Sequence, residues 1–172
     1  MGTFREGSIL RVIIKNIPLI LLFTSVLNEF DFNYLELRYF SFNFPFILIF
    51  YWSLRRNESL GYGFIFIAGL INDVVTGLPM GISSLGYLFI CVFAAYLKNI
   101  TLRPSLVKDW IFFLFTIIFI KSLIHLLLVL FFSFELDYIS LIINLFFTFI
   151  MYYFFSLLFG FYSSLVFGKL HD

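Results

Sequence analysis

The chain has 172 residues, of which 62% are hydrophobic and 12% are charged, and its formal net charge at pH 7 is +1. Soluble domains carry roughly 45–50% apolar and about 25% charged residues, so a soluble protein of this length is excluded. The small net charge provides no basic surface for nucleic acid. The single cysteine, Cys91, excludes an intrachain disulfide and any multi-cysteine metal or redox motif.

Six apolar segments predict an all-α integral membrane protein, with the whole chain, 1–172, forming one compact helical bundle. No polar linker, low-complexity tail or internal repeat divides it. The second segment is the weakest, because its uninterrupted apolar part, Phe44–Leu54, is about half of the roughly 20 residues that a full crossing needs. The predicted spans are 12–27, 39–54, 60–75, 82–97, 110–132 and 139–159.

The first segment follows Arg5, Arg11 and Lys15, a pattern that resembles a signal sequence. The apolar stretch ends at Leu27, and no small-x-small cleavage pattern comes after it. We therefore expect an uncleaved first span.

Charged residues are distributed unequally between the two sides of the predicted bundle. Basic residues concentrate in cytoplasmic loops, so both termini are predicted to be cytoplasmic. If the second segment did not cross, Arg55 and Arg56 would move outside and the asymmetry would be lost, so six spans are predicted. The residues on the cytoplasmic side are Arg5, Arg11, Lys15, Arg55, Arg56, Lys98, Arg103, Lys108 and Lys169, and the opposite loops hold Glu29, Asp31, Glu36, Arg38, Glu135 and Asp137.

Several residues predict how the helices meet their surroundings. Tyr51 and Trp52 precede the basic pair and are predicted to form an aromatic anchor at the cytoplasmic interface. Asn144 is predicted to make an interhelical hydrogen bond. The fourth segment offers small side chains that let neighbouring helices approach closely, namely Ser83, Ser84, Gly86, Ala94 and Ala95.

The turn between the third and fourth segments, Asp73–Gly81, is expected at the level of the outer leaflet. Each of these segments has about 16 apolar residues, roughly 24 Å of helix against a hydrocarbon core of about 30 Å. Non-helical backbone at that depth must be covered by protein. Gly77 and Gly81 allow a tight turn, and Pro79 needs no partner for an N–H group.

Polar groups within the predicted spans are costly and need a partner or a function. Asp73, beside Asn72, lies roughly 21 Å from the cytoplasmic side, and Lys121 lies roughly 18 Å from it. His125 shares a helix face with Lys121, because the two are four residues apart. We therefore expect an Asp73–Lys121 ion pair with His125 or Asn72 completing its hydrogen bonding. A structural role is favoured, and a transport or proton-relay role is the alternative.

Catalytic chemistry has no candidate cluster in the sequence. The two histidines, His125 and His171, share no metal-ligand spacing with a pair of carboxylates. No nucleophile elbow, phosphate-binding loop or nucleotide motif is present. We therefore predict that the protein is not an enzyme and has no cofactor and no small-molecule substrate.

The region from about 45 to 97 resembles the MreD family, the multi-pass rod shape-determining proteins of bacteria. The family pattern is a proline before a Tyr-Trp run and a basic loop, then a Gly-Leu-x-x-Asp motif and a Gly-x-Pro-x-Gly motif. Beyond this region the agreement is in hydropathy only. The matching residues are Pro45, Tyr51-Trp52, Arg55-Arg56, Gly69-Leu-Ile-Asn-Asp73 and Gly77-Leu-Pro-Met-Gly81.

This resemblance implies a non-catalytic scaffold of the elongation complex, which organises lateral peptidoglycan synthesis from the bacterial cytoplasmic (inner) membrane. The implied partners are the bitopic protein MreC, the actin-like MreB and a wall polymerase–transpeptidase pair, within membrane lipid. The matching positions become the candidates for fold or contact, and they are Gly69, Asp73, Gly77, Pro79 and Gly81.

The alternative is the substrate-binding membrane component of an energy-coupling vitamin or metal transporter, which is also a small six-helix protein. Such a component needs a small-residue face on its first helix to dock its coupling subunit. The first helix is bulky here apart from Thr24 and Ser25, which counts against this alternative. A lipid-modifying enzyme is a third reading, and it lacks a catalytic cluster.

Overall fold

The computed structural model describes residues 16–27, 41–55, 60–101, 105–133 and 138–167. Within these ranges the regular secondary structure consists of six α-helices, so the predicted all-helical architecture is confirmed for the described residues. The helices are α1 (Asn16–Leu27), α2 (Phe44–Arg55), α3 (Tyr62–Thr76), α4 (Ile82–Ile100), α5 (Leu106–Phe132) and α6 (Tyr138–Phe167).

Among the described residues, three helices are long and apolar enough to cross a membrane: α4, α5 and the part of α6 from Tyr138 to Ser164. The 27 residues of α5 extend roughly 40 Å, which exceeds the hydrocarbon core of about 30 Å. Helices α1, α2 and α3 are apolar but shorter. Six crossings and two cytoplasmic termini stay predictions.

Among the described residues, the two largest differences between predicted and observed helix boundaries are at the start of α2 and the end of α6. Helix α2 begins at Phe44, five residues after the predicted start, because the side chain of Asn43 accepts the N–H of Phe46 at 3.2 Å and caps the helix there. Helix α6 continues to Phe167, beyond the predicted end at 159. The residues that follow 159 remain largely apolar, so nothing in the sequence stops that helix.

Helix α2 forms the centre of the bundle. Every residue from Phe44 to Leu54 is buried. The helix packs against α4 and α6. The ring of Phe50 contacts both Phe113 of α5 and Tyr152 of α6, at centroid distances of 5.1 and 5.6 Å. A helix that is apolar on all sides is typical of a core position, so the segment with the weakest span signal is the core helix.

The predicted interfacial anchor at Tyr51 and Trp52 is wrong. Both side chains are 1% exposed, because α6 covers them. Tyr51 packs against Phe159 at 5.3 Å between ring centroids, and Trp52 packs against Tyr162 at 6.2 Å. The pair therefore belongs to the aromatic core.

Most charges behind the predicted orientation lie outside the described residues, as does the start of the predicted uncleaved first span. Among the described charges, one contact agrees with the prediction that the end of α2 and the start of α5 lie on the same side of the bundle. Arg55 at the end of α2 forms an ion pair with Asp109 at the start of α5, so these helix ends lie together. Outside the described residues are Arg5, Arg11, Lys15, Glu29, Asp31, Glu36, Arg38, Arg56, Arg103, Glu135, Asp137, Lys169 and His171.

Candidate functional site

Asp73 lies in the last turn of α3 and is fully buried. Its Oδ2 accepts the backbone N–H of Gly81 at 2.7 Å, and its Oδ1 accepts that of Ser83 at 2.8 Å. Gly81 is the N-cap of α4, and the first N–H groups of a helix have no carbonyl partner within it. The carboxylate of one helix therefore caps the next helix, where the helix dipole also favours negative charge.

The turn between the two helices needs two glycines for their backbone conformation. Gly77 has φ 68° and Gly81 has φ 100°, both in the left-handed region that disfavours side chains. A Cβ at either position would meet open space, so the requirement is conformational and not steric. The N–H of Leu78 donates to the carbonyl of Asp73 at 2.9 Å, which closes the end of α3. Pro79 offers its carbonyl to the N–H of Ile82 at 3.3 Å.

A third glycine, Gly69, brings the two helix backbones into contact. A Cβ on Gly69 would lie 2.4 Å from the Cα of Ser84, closer than real Cβ contacts come. The hydroxyl of Ser84 donates back across the contact to the carbonyl of Phe66 at 3.0 Å. Beside it, the side-chain amide of Asn72 donates to the Ser83 hydroxyl at 2.9 Å. We refer to this arrangement of Gly69, Asn72, Asp73, Gly77, Pro79, Gly81, Ser83 and Ser84 as the α3–α4 joint.

The predicted ion pair between Asp73 and Lys121 is wrong. In the described part of the chain, the only ion pair within 4 Å joins Arg55 to Asp109. The two residues have similar predicted depths along the membrane normal, but similar depth does not bring two groups together laterally. Helix α5 turns Ile120 and Ile124 towards α4, where both approach Gly86. Lys121 faces elsewhere, with its ammonium 5.3 Å from the ring centroid of Phe46.

Lys121 and His125 lie away from the α3–α4 joint and line a cleft between α5 and α6, which has a volume of about 290 Å³. The imidazole of His125 contacts the ring of Tyr138, the first residue of α6, at a centroid distance of 5.2 Å. The structure therefore divides the predicted residues into two groups. Six of them form the α3–α4 joint, and two line what we call the α5–α6 cleft, which consists of Ile118, Lys121, Ser122, His125, Tyr138, Leu141, Ile142 and Leu145.

Sequence reasoning missed the contact between Arg55 and Asp109. Arg55 Nη2 lies 3.5 Å from Asp109 Oδ2, and the Asp109 side chain is 4% exposed. A signal was present, because Asp109 stands at the predicted start of a helix on the same side as Arg55. The interhelical hydrogen bond predicted for Asn144 is not formed as expected: its side-chain amide donates at 2.9 Å to the hydroxyl of Ser41, which lies before the start of α2 and not within a helix.

A family model described as rod shape-determining protein MreD matches residues 8–162 of the chain. That range contains helices α1 to α5, most of α6, the α3–α4 joint and the α5–α6 cleft. Comparison with curated proteins gives no match, and comparison with solved structures gives none either.

Proposed function

Because this chain belongs to the MreD family of rod shape-determining proteins, we propose that it is a non-catalytic membrane scaffold of the bacterial elongation complex. Family membership gives it a role in determining rod shape. In the proposed arrangement the chain crosses the cytoplasmic membrane six times with both termini inside the cell. It acts there as a single polytopic domain, 1–172.

The α3–α4 joint is the observation that supports a structural role for the family-like motif. Both oxygens of Asp73 accept hydrogen bonds from backbone N–H groups of the same chain. A proton relay or a general base at Asp73 would have to disrupt these two charge-assisted bonds and uncap α4. The motif residues therefore serve the architecture of the hairpin, which supports a scaffold over a catalyst.

The proposed partners are a bitopic MreC-like protein and, through it, the actin-like MreB and a wall polymerase–transpeptidase pair. Helix packing within the bilayer would hold the first of these. Large apolar side chains remain exposed along α5 and α6, among them Phe115, Phe131, Ile142 and Phe161. Such faces can pack against lipid or against a partner helix.

A transporter component is less well supported. It would present small residues of α1 to a coupling subunit, but Ser25 is buried in the bundle and its hydroxyl donates to the carbonyl of Leu22 at 2.7 Å. Thr24 likewise directs its hydroxyl to the carbonyl of Ile20 on its own helix. The described part of α1 thus offers a mainly bulky outer surface, with Ile20 and Leu27 exposed.

Co-purification from native membranes in mild detergent tests this proposal. We expect mass spectrometry to recover a coiled-coil bitopic protein together with wall-synthesis enzymes. Recovery of a membrane coupling subunit with its ATPases would contradict the scaffold role. The matched pair of variants is Gly69→Ala, at the joint, and Gly63→Ala, whose Cβ meets nothing within 4 Å. Partner recovery should fall for the first and persist for the second.

Labelling of introduced cysteines tests the proposed topology separately. Cysteines that replace Asp31 and Glu135 should react with an impermeant thiol reagent added outside the cell, and one that replaces Ser105 should not. Cys91 is buried and serves as an internal background control. Labelling of the Ser105 position from outside would reverse the proposed orientation.

A further inference from the structure

The α5–α6 cleft brings together four side chains that can donate hydrogen bonds. Lys121, Ser122 and His125 come from consecutive turns of α5, and Tyr138 comes from the start of α6. The rest of the lining is apolar, consisting of Ile118, Leu141, Ile142 and Leu145. The cleft is therefore an apolar groove with hydrogen-bond donors contributed by both of its helices.

These donors have no acceptor in the part of the chain that the structure describes. Lys121 contacts the face of Phe46, and His125 contacts the ring of Tyr138, but none of the four makes a hydrogen bond or ion pair there. An ammonium group within a membrane is costly unless something negative accompanies it. Asp73 is not this negative partner, because both of its carboxylate oxygens accept hydrogen bonds at the α3–α4 joint.

The cleft lies in the half of the bundle farther from the Arg55–Asp109 ion pair. Along α5, Lys121 is roughly 18 Å and His125 roughly 24 Å from Asp109, against a hydrocarbon core of about 30 Å. Tyr138 contacts His125 and so lies at a similar depth. Tyrosine is common near the membrane–water interface, and a lysine stem can extend its ammonium towards it.

We propose that the α5–α6 cleft binds one anionic phospholipid, whose phosphate accepts hydrogen bonds from Lys121 and its neighbours while an acyl chain lies along Leu141, Ile142 and Leu145. A phosphate offers several acceptor oxygens to match several donors. A cleft of about 290 Å³ is large enough for a headgroup and part of an acyl chain. This inference does not depend on the proposed scaffold function.

Native mass spectrometry of the full-length protein in detergent tests it, with phosphatidylglycerol as the probe and diacylglycerol of the same acyl chains as the neutral control. We expect one phosphatidylglycerol to bind at least tenfold more tightly than diacylglycerol. Lys121→Gln should abolish this preference. Lys98→Gln, which removes the same charge from an exposed residue at the end of α4, should keep it.

Equal binding by the wild-type protein and Lys121→Gln would overturn the proposal, and so would an equal loss in Lys98→Gln, since that would indicate charge attraction without a site. Ile142→Trp decides the question if Lys121→Gln does not fold. Ile142 is 68% exposed, so the substitution fills the groove without disturbing the core, and phosphatidylglycerol binding should fall about tenfold.

The acids that precede Tyr138 in the sequence are the competing occupants. The double variant Glu135→Gln, Asp137→Asn should bind phosphatidylglycerol as the wild type does. If lipid binding appears only in this double variant, the chain's own carboxylates fill the cleft and the lipid proposal is wrong.

Discussion

The α3–α4 joint and the α5–α6 cleft both contain ionisable side chains within the bundle, and they differ in how those groups are satisfied. Asp73 is fully buried and receives two backbone N–H groups of its own chain. Lys121 has only an aromatic face beside it among the described residues. The chain therefore satisfies Asp73 with its own backbone, whereas the described residues provide no acceptor for Lys121.

The difference has a physical origin in where each charged group lies relative to the helix ends. The start of a helix presents free N–H groups, so an anion can be satisfied by backbone alone. A cation can use the free carbonyls at the end of a helix, but the carbonyls in the middle of a helix are already hydrogen-bonded. Asp73 could be satisfied by the next helix along the chain, whereas Lys121, in the middle of α5, could not.

Removal of the Asp73 carboxylate should have the largest effect. Asp73→Ala leaves two buried N–H groups without an acceptor and removes the cap of α4, so we expect the free energy of unfolding to fall by about 2–4 kcal/mol. Asp73→Asn keeps one acceptor oxygen and should lose less. Denaturant unfolding in detergent measures both, and a change below about 0.5 kcal/mol for Asp73→Ala would contradict the capping role.

Loss of the close helix contact at Gly69 should cause the second-largest decrease in the free energy of unfolding. Gly69→Ala forces α3 and α4 apart, because its Cβ would lie 2.4 Å from the Ser84 Cα, and we expect a loss of about 1–3 kcal/mol. Gly63→Ala, on the same helix with open space around it, should be neutral or stabilising by up to about 1 kcal/mol. Equal effects of the two variants would show that helix propensity and not contact governs Gly69.

The Arg55–Asp109 contact should contribute less. The Arg55 side chain is 36% exposed and its nitrogen lies 3.5 Å from the carboxylate, so solvent weakens the attraction. We expect a double-mutant cycle with Arg55→Gln and Asp109→Asn to give a coupling of about 0.5–1 kcal/mol. A coupling of several kcal/mol would mean that this pair, and not the joint, dominates the electrostatics of the bundle.

The smallest expected effect is the coupling free energy between a substitution in the α3–α4 joint and one in the α5–α6 cleft. Asp73→Ala and Lys121→Met share no partner in the structure, so their effects on unfolding should add to within about 0.5 kcal/mol. A larger coupling energy would support the direct Asp73–Lys121 ion pair that was predicted from the sequence. Since Lys121→Met removes a charge that has no ion-pair partner among the described residues, it should by itself be close to neutral or stabilising.

The residues of the joint could be predicted from the sequence because their contacts are short-range. Asp73 bonds to backbone only eight and ten positions later, and the glycines of the turn carry a recognisable spacing. The hydrogen bonds that the Asp73 carboxylate accepts from the start of α4 were not predicted. The sequence instead predicts a cationic partner, although the N–H groups of a helix start can satisfy a carboxylate. Lys121 and His125 of the cleft were singled out from the sequence, but Ser122 and Tyr138 were not. Which residues of α5 face the cleft depends on the rotation of that helix, which its uniformly apolar surface does not specify.

The place of α2 could not be predicted for a related reason. Its sequence shows half a span, and the structure contains a helix of about that length, which starts after the capping Asn43. That Tyr51 and Trp52 are buried depends on Phe159 and Tyr162, which are about a hundred residues away in the sequence. Composition alone equally permits an aromatic pair at an interface and one in a core.

The central position of α2 has a consequence for how the protein is made. The N–H of Asn43 donates to Thr148, 105 positions later, and the rings of Phe44 and Phe159 are 6.2 Å apart. During synthesis α2 therefore leaves the ribosome long before the helix that covers it exists. A half-length helix is poorly suited to lipid on its own. We therefore expect chains that stop before Thr148 to be degraded quickly, because α2 is stable only after α6 has been synthesised and covers it.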